Sequence, residues 1–354
     1  MKSGVLSKVS SQMKLAFLLR PAYYHHRLTI VILLVLFALY FPIRSLLQQK
    51  DREPLPYYTR RTSCPVSHDE DDVDIVIYIP SCIPWTQRRR QVLRKMRSEL
   101  QGAHLYFIFG TRQGKSLEQE VDGLQAARTE ASFEEIDSPV RYLFTECRDY
   151  GDEFDNPNGT SATTCKVYEA LRYIAHAYAD RPPRFVWRGA DDSYLDLGVF
   201  RQHVMPGLQT CRLFLGGLRF PLPNTHEDLN LFDQQPNLYA LYGLKKFGKY
   251  MQGMGFCMSW DVARFIGSSS IPPRQTWCED VMVGQWLLFY DVDFVDIQSA
   301  TPNVRMWENA WDINDIKQHP DALALVAHKM TTGQWLALAR RPAGDISASY
   351  LLVQ

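Results

Sequence analysis

Val73-Asp74-Ile75-Val76-Ile77-Tyr78-Ile79 is a run of β-branched and aromatic residues stopped by Pro80, and it predicts a buried strand. Downstream of it, Thr86 to Leu100 reads as a helix and Ala103 to Phe109 as a second strand. Leu117 to Ala131 reads as another helix, Val140 to Phe144 as a strand, and Ala162 to Ala179 as a helix. Phe185-Val186-Trp187 then forms a short apolar strand. Strands alternating with helices of this length predict an α/β domain with a mostly parallel central sheet. No internal repeat or linker interrupts the chain between Val73 and about Arg340, so a single domain over residues 73–354 is expected.

Upstream, Gln48 to Asp72 contains Pro54, Pro56 and Pro65 and closes on Asp69-Glu70-Asp71-Asp72, the composition of a short stem. Before it, Leu28 to Ile43 carries no charge, and extension to Leu47 adds only Arg44. Twenty helical residues reach about 30 Å, so residues 28–47 are expected to span a bilayer as a signal anchor. A core helix would show a polar face, and Thr29 is the sole polar side chain before Arg44. No small-residue cleavage site follows at Tyr40-Phe41-Pro42, which argues against a removed signal peptide. Residues 1–27 form a tail with Lys2, Lys8, Lys14, Arg20 and Arg27 and no acid. Five Lys and Arg also fall in the twenty residues after Ile43, so the charge rule gives no orientation. The Asn158-Gly159-Thr160 sequon, and seven cysteines that all lie beyond the span, favour a lumenal body with Asn158 glycosylated.

The 354 residues balance 39 basic side chains against 39 acidic ones. Outside the tail this leaves 34 bases against 39 acids, so no strongly basic body exists to hold nucleic acid. Phe109-Gly110-Thr111-Arg112-Gln113-Gly114-Lys115-Ser116 imitates a phosphate-binding loop, but its glycines are one residue too close, and the cradle of amides depends on loop length.

Chemistry concentrates elsewhere. Phe185-Val186-Trp187-Arg188-Gly189-Ala190-Asp191-Asp192 ends an apolar strand in two adjacent carboxylates. Ligands collect beyond the carboxyl ends of strands in open α/β sheets. Two acids there repel one another unless a cation or a raised pKa relieves them. A hard divalent ion shared with phosphate oxygens is one explanation; an ordinary surface turn is the other. Glu279 and Asp280 precede an apolar helical pattern, as a catalytic pair or as acids that favour the helix dipole. Gly253 and Gly255 sit two apart in an otherwise apolar strand and mark close approach of a ligand or another backbone. His328 ends the apolar stretch Leu323 to Ala327.

In this order the pieces resemble glycosyltransferase family 31, the β-1,3-glycosyltransferases of galactosyl-, N-acetylglucosaminyl- and Fringe type. The matching features are the single N-terminal span and Arg89-Arg90-Gln91-Val92-Leu93-Arg94 in the first helix. They continue with Asp149 to Phe154, Asn158 and Lys166, the acidic pair, and Tyr250 to Asp261 with Ser259 and Asp261. Glu279-Asp280-Val281 and Ala327-His328-Lys329 complete the series. Two departures stand out: Ala190 replaces the first acid of a three-acid motif, and Met96-Arg97 replaces Thr-Trp.

The resemblance implies a GT-A-like nucleotide-sugar domain in the Golgi membrane, type II, with its body lumenal. It implies Asp192 and His328 as ligands of Mn²⁺ or Mg²⁺, and Arg94, Asp191, Gly253 and Gly255 as nucleotide contacts. Asp280 becomes the base that activates the acceptor hydroxyl, assisted by Glu279, and one displacement inverts the anomeric centre. The donor would be UDP-galactose or UDP-N-acetylglucosamine, and the acceptor a glycan on a glycoprotein or glycolipid. Trp187, Trp260 and Trp277 are candidates for stacking on sugars. The alternative is a catalytically silent relative that binds glycans or acts as a chaperone.

Overall fold

The computed structural model describes residues 73–111, 116, 118–119, 139–149, 162–219, 248–269, 279–288, 290–342, 345 and 347–353. All of them fall in the unit Arg61–Gln354. The expected tail, span and stem lie outside the described residues, as do Asn158, Trp277 and nearly all of the helix expected at 117–131. Among the described residues no helix is long and apolar enough to cross a membrane.

The opening run forms β1 (Ile75–Pro80), with every residue buried. It is followed by α1 (Thr86–Met96), β2 (Ala103–Thr111), β3 (Val140–Arg148), α2 (Ala162–Ala177) and β4 (Phe185–Gly189). Then come β5 (Ser193–Leu195), β6 (Leu213–Arg219), β7 (Tyr250–Ser259), α3 (Trp260–Gly267), α4 (Glu279–Trp286), β8 (Asp293–Asp296), β9 (Val304–Trp307), β10 (Leu323–His328) and α5 (Thr332–Arg340). Among the described residues, one sheet runs β3-β2-β1-β4-β7-β6-β8 and a smaller one β5-β10-β9. Four of the six pairings in the larger sheet are parallel; β7 runs antiparallel to both β4 and β6.

Both faces of the larger sheet are covered, which explains why β1 reads as continuous apolar sequence rather than as an alternation. Ile75, Ile77 and Ile79 pack with Phe107, Phe185 and Trp187 on one face, together with Val92, Leu93 and Met96 of α1. Val76 and Tyr78 turn to the other face, against Val167, Leu171 and Ile174 of α2 and Val262 and Ile266 of α3. Burying each such side chain is worth roughly 1.5–3 kcal/mol against exposure, so the sheet centre is rigid ground for a site at its edge. The helix expected to reach Leu100 ends at Met96 and continues as a tight turn, Arg97–Glu99. Gly102, at φ 69°, then reverses the chain into β2.

Candidate active site

The sheet order reverses at β1, which has β2 on one side and β4 on the other. Such a switch point opens a crevice beyond the carboxyl ends of the strands. β1 and β4 are parallel neighbours, so Ser81 and the acids after Gly189 emerge side by side. Ser81 Oγ donates to Asp191 Oδ2 at 2.6 Å, and Asp191 is buried. Beneath it Arg89 is buried too, donating to Ser81 Oγ at 3.2 Å, to the Cys82 carbonyl and to the Ile83 carbonyl at 2.9 Å. Arg88, at the exposed side of α1, reaches Asp191 at 3.6 Å and Asp192 at 4.0 Å. Burial raises the Asp191 carboxyl above its usual range, against the pull of the Ser81 hydrogen bond.

His328 reaches the acids through the smaller sheet. β5 leaves Asp192 directly and pairs antiparallel with β10, which sets His328 opposite Ser193. His328 Nε2 lies 3.1 Å from Asp192 Oδ1. The next residue, Lys329, takes φ 55°, a left-handed conformation uncommon outside glycine, and its N–H donates to the Asp192 carbonyl at 3.2 Å. Burial works against the Asp192 carboxylate, yet the His328 contact and the charges of Arg88 and Arg188 outweigh it and hold Asp192 below its usual value. His328 Nδ1 is buried with no partner among the described residues. No group of three or more His, Cys, Asp or Glu poised for a metal occurs among the described residues. Among the described residues Asp192 and His328 supply two donors, which fits a hard cation that takes most of its shell from substrate and water.

The second pair of acids opens α4. Glu279 Oε1 meets Arg188 of β4 at 2.7 Å, with both side chains largely buried. The other arm of Arg188 donates to the Gly253 carbonyl of β7. Gly253 in turn donates its N–H to Asp280 Oδ2 at 3.0 Å, while Val281 N–H occupies Oδ1 at 2.8 Å. Asp280 is thus a bridge from α4 to β7 as well as a residue of the first helical turn. Burial raises its carboxyl above the ordinary range, opposed by the Val281 N–H, by Arg188 and by the Gly253 N–H.

Of the two glycines of β7, Gly255 serves a close approach and Gly253 stands at ordinary contact distance from the acids. A Cβ on Gly253 would lie 3.4 Å from Asp280 Oδ2 and 3.6 Å from Glu279 Oε2. One on Gly255 would meet Trp187 Nε1 at 3.3 Å and the Arg188 carbonyl at 3.4 Å. Ala190 lines a small cavity with Ile77, Trp187, Ser193 and Met254. Two lining residues carry buried polar atoms without a partner among the described residues, Trp187 Nε1 and Ser193 Oγ.

Arg94 is not brought to the acids. It is exposed at the far end of α1 and lines a groove with Lys95, Thr332, Trp335 and Leu336. Arg88, six residues earlier, is the arginine that faces the carboxylates. Trp187 and Trp260 are core residues, 0% and 4% exposed, so stacking on a sugar is closed to them. Of the family-like segments, Asp149 and Lys166 are buried supports, while 150–154 lie outside the described residues: Asp149 accepts from Ile83 N–H at 2.7 Å and Gly110 N–H at 3.1 Å, and Lys166 Nζ donates to the Ser81 carbonyl at 2.7 Å. Ser259 Oγ and Asp261 Oδ1 are 2.6 Å apart, and Asp261 holds the Arg212 N–H at the entry to β6. Sequence reasoning passed over Ser81, Arg88 and Arg188. Arg88 was available in the same arginine-rich helix; Arg188 was hidden inside an apolar strand.

The galactosyltransferase family model matches residues 222–298, a stretch that contains Gly253, Gly255, Glu279 and Asp280 and agrees with the resemblance to glycosyltransferase family 31. No curated protein matches the chain. Among solved structures it is similar to the apo form of the glycosyltransferase GlyE of Streptococcus pneumoniae TIGR4 at 7% identity and a TM-score of 0.35, over 77% of this chain and 61% of that one. A second GlyE structure gives 9% identity and a TM-score of 0.35, over 76% and 61%. The chain thus spans about three fifths of the length of these proteins.

Proposed function

We propose that the chain is a membrane-anchored, metal-dependent, inverting β-1,3-glycosyltransferase that moves galactose or N-acetylglucosamine from a UDP-sugar to a glycan acceptor in the Golgi lumen. The observation that carries this reading is the convergence of two acid centres on one strand: Asp191 and Asp192 follow the end of β4, and Arg188 of β4 grips the α4 segment that bears Glu279 and Asp280. The family match over residues 222–298 supports glycosyl transfer as the reaction class.

Asp192 and His328 would hold the Mn²⁺ or Mg²⁺, which when bound supplies a Lewis acid for the departing diphosphate. Arg88 adds a positive charge at the same edge, within 4.0 Å of both acids, where the developing negative charge needs it. Asp191 is held by Ser81 and supports the edge from below. Asp280 accepts the proton of the acceptor hydroxyl on a carboxylate oriented by two backbone N–H groups. Its raised pKa makes it a stronger base than a solvated aspartate. With one nucleophile and one displacement, an α-linked donor gives a β-linked product. The disulfide Cys147–Cys165 supports an oxidising, lumenal compartment for this domain.

The test is turnover of UDP-galactose, UDP-N-acetylglucosamine and UDP-glucose by the full chain in detergent, with and without Mn²⁺ or Mg²⁺. Metal-dependent release of UDP from one donor is expected. Binding of glycans with no turnover of any donor, under either metal, would instead favour the silent reading.

A further inference from the structure

We propose that Arg188 is a positioning residue that divides the work of the two adjacent acids, holding Glu279 as its ion-pair partner and leaving Asp280 as the proton acceptor. The inference deepens the proposed function and rests on Asp280 as the base.

Four residues from three elements close a ring. Arg188 of β4 pairs with Glu279 at 2.7 Å and donates to the Gly253 carbonyl, and Gly253 of β7 donates to Asp280 at 3.0 Å. Asp280 and Glu279 are consecutive in α4, which completes the circuit. Gly253 sits directly against both acids: a Cβ there would lie 3.4 Å from Asp280 Oδ2 and 3.6 Å from Glu279 Oε2, ordinary contact distances. Arg188 is 7% exposed and Glu279 11%, so little water screens the pair. A buried glutamate without a counter-charge would repel the neighbouring aspartate and push it toward the neutral acid. Paired with Arg188, Glu279 is neutralised and its carboxylate is engaged, and Asp280 keeps the freedom to take a proton.

Arg188 is also more than a staple between elements. Its Nε is buried with no partner among the described residues, so the guanidinium is not saturated by structural contacts. It lies on the strand that leads into Asp191 and Asp192, so one rigid element positions both the metal-side acids and the base.

Among the described residues, the charged groups set around Asp280 are Arg188 and its partner Glu279. Tyr78 of β1 is buried near that pair, its hydroxyl raised by burial against the pull of Arg188. β7 adds only Tyr250 and Cys257 as ionisable groups. α2 meets α4 through Tyr168 on Trp286, at the opposite end of the helix from Asp280.

The experiment compares Arg188→Gln, Arg188→Lys, Glu279→Gln and Asp280→Asn in the full chain, reading kcat against pH, UDP affinity with Mn²⁺, and the melting temperature. Arg188→Gln should lower kcat about tenfold or more and move the acid limb of the profile to higher pH, because Asp280 loses its counter-charge. Glu279→Gln should move that limb to lower pH, because the arginine is then unpaired. Arg188→Lys keeps the charge and should leave the limb in place with an intermediate kcat. Metal-dependent UDP affinity should stay within about threefold of wild type in Glu279→Gln and Asp280→Asn. A structural staple moves the melting temperature and not the limb in opposite directions. Limbs that shift together, or stay put, in folded variants overturn the proposal for Arg188. If Arg188→Gln does not fold, Glu279→Gln and Arg188→Lys decide it in the same way. Full activity in Asp280→Asn would sink the base assignment itself, an outcome separate from an inactive Asp280→Asn with unmoved limbs.

Discussion

Asp191 and Asp192 are adjacent in the chain and opposite in character. Asp191 is buried on Ser81, and burial raises its carboxyl; Asp192 is partly open, faces His328 and is held ionised. Asp192→Ala removes a carboxylate from the edge of the sheet without opening a core cavity. The fold should survive, with its melting temperature close to wild type, while the metal-dependent part of UDP affinity disappears. Calorimetry with and without Mn²⁺ reads this directly; an unchanged metal dependence would reduce the pair to a polar turn. At Asp280 the expectation is reversed. Asp280→Asn retains an acceptor for the Gly253 N–H but cannot take a proton, so UDP affinity should hold and transfer should fall by roughly 10²- to 10⁴-fold. Asparagine caps a helix about as well as aspartate does, so transfer within about threefold of wild type would return Asp280 to a capping role.

At the scale of elements, the site depends on how closely helices seat on the sheet. α3 lies against α2 where Gly267 faces the Leu171 carbonyl, and an added Cβ would run into that backbone oxygen and the Ala175 side chain. Backbone cannot yield as a flexible side chain can. Gly267→Ala should therefore destabilise the domain by about 1–3 kcal/mol, read as an earlier midpoint in urea with an unchanged slope. α4 is seated similarly, with Gly284 against the Lys249 carbonyl and Tyr250. That contact holds the helix at the start of β7 and so fixes the distance from Asp280 to Gly253. A midpoint for Gly267→Ala equal to wild type would mean that α2 and α3 have room to separate.

For the whole molecule, the proposed membrane anchoring and lumenal placement bear on the state of its cysteines. The disulfide Cys147–Cys165 ties the end of β3 to the first turn of α2 across a separation of 18 residues. Cys211 is disulfide-bonded as well, whereas Cys82 and Cys257 are free and buried. Closing a loop of that length contributes about 3 kcal/mol, and it forms where the surroundings are oxidising. The body should accordingly be protected from protease in sealed vesicles, and a glycosidase should increase its mobility by removing a glycan at Asn158. Digestion of the body without detergent, or no glycan on that residue, would place the domain on the other side or leave the sequon unused.

The order of strands and helices around β1 was legible in the sequence because burial on both faces demands uninterrupted β-branched and aromatic residues, as at Ile75 to Ile79. The acids at Asp191, Asp192, Glu279 and Asp280 were legible too, since ionisable residues at the margin of apolar elements stand out by composition alone. What stayed hidden was partnership. His328 is 136 positions from Asp192 in the numbering, and only the antiparallel pairing of β5 with β10 brings its ring to 3.1 Å. Arg188 lies within an apolar strand, and its importance depends on β7 running antiparallel beside β4, a direction that hydrophobic patterning cannot encode. Arg94 and Arg88 carry the same side chain on the same helix; the rotation of α1 against the sheet decides which one meets the carboxylates. Local chemistry selects the elements and their acids, whereas long-range pairing and helix rotation assign each charge its neighbour.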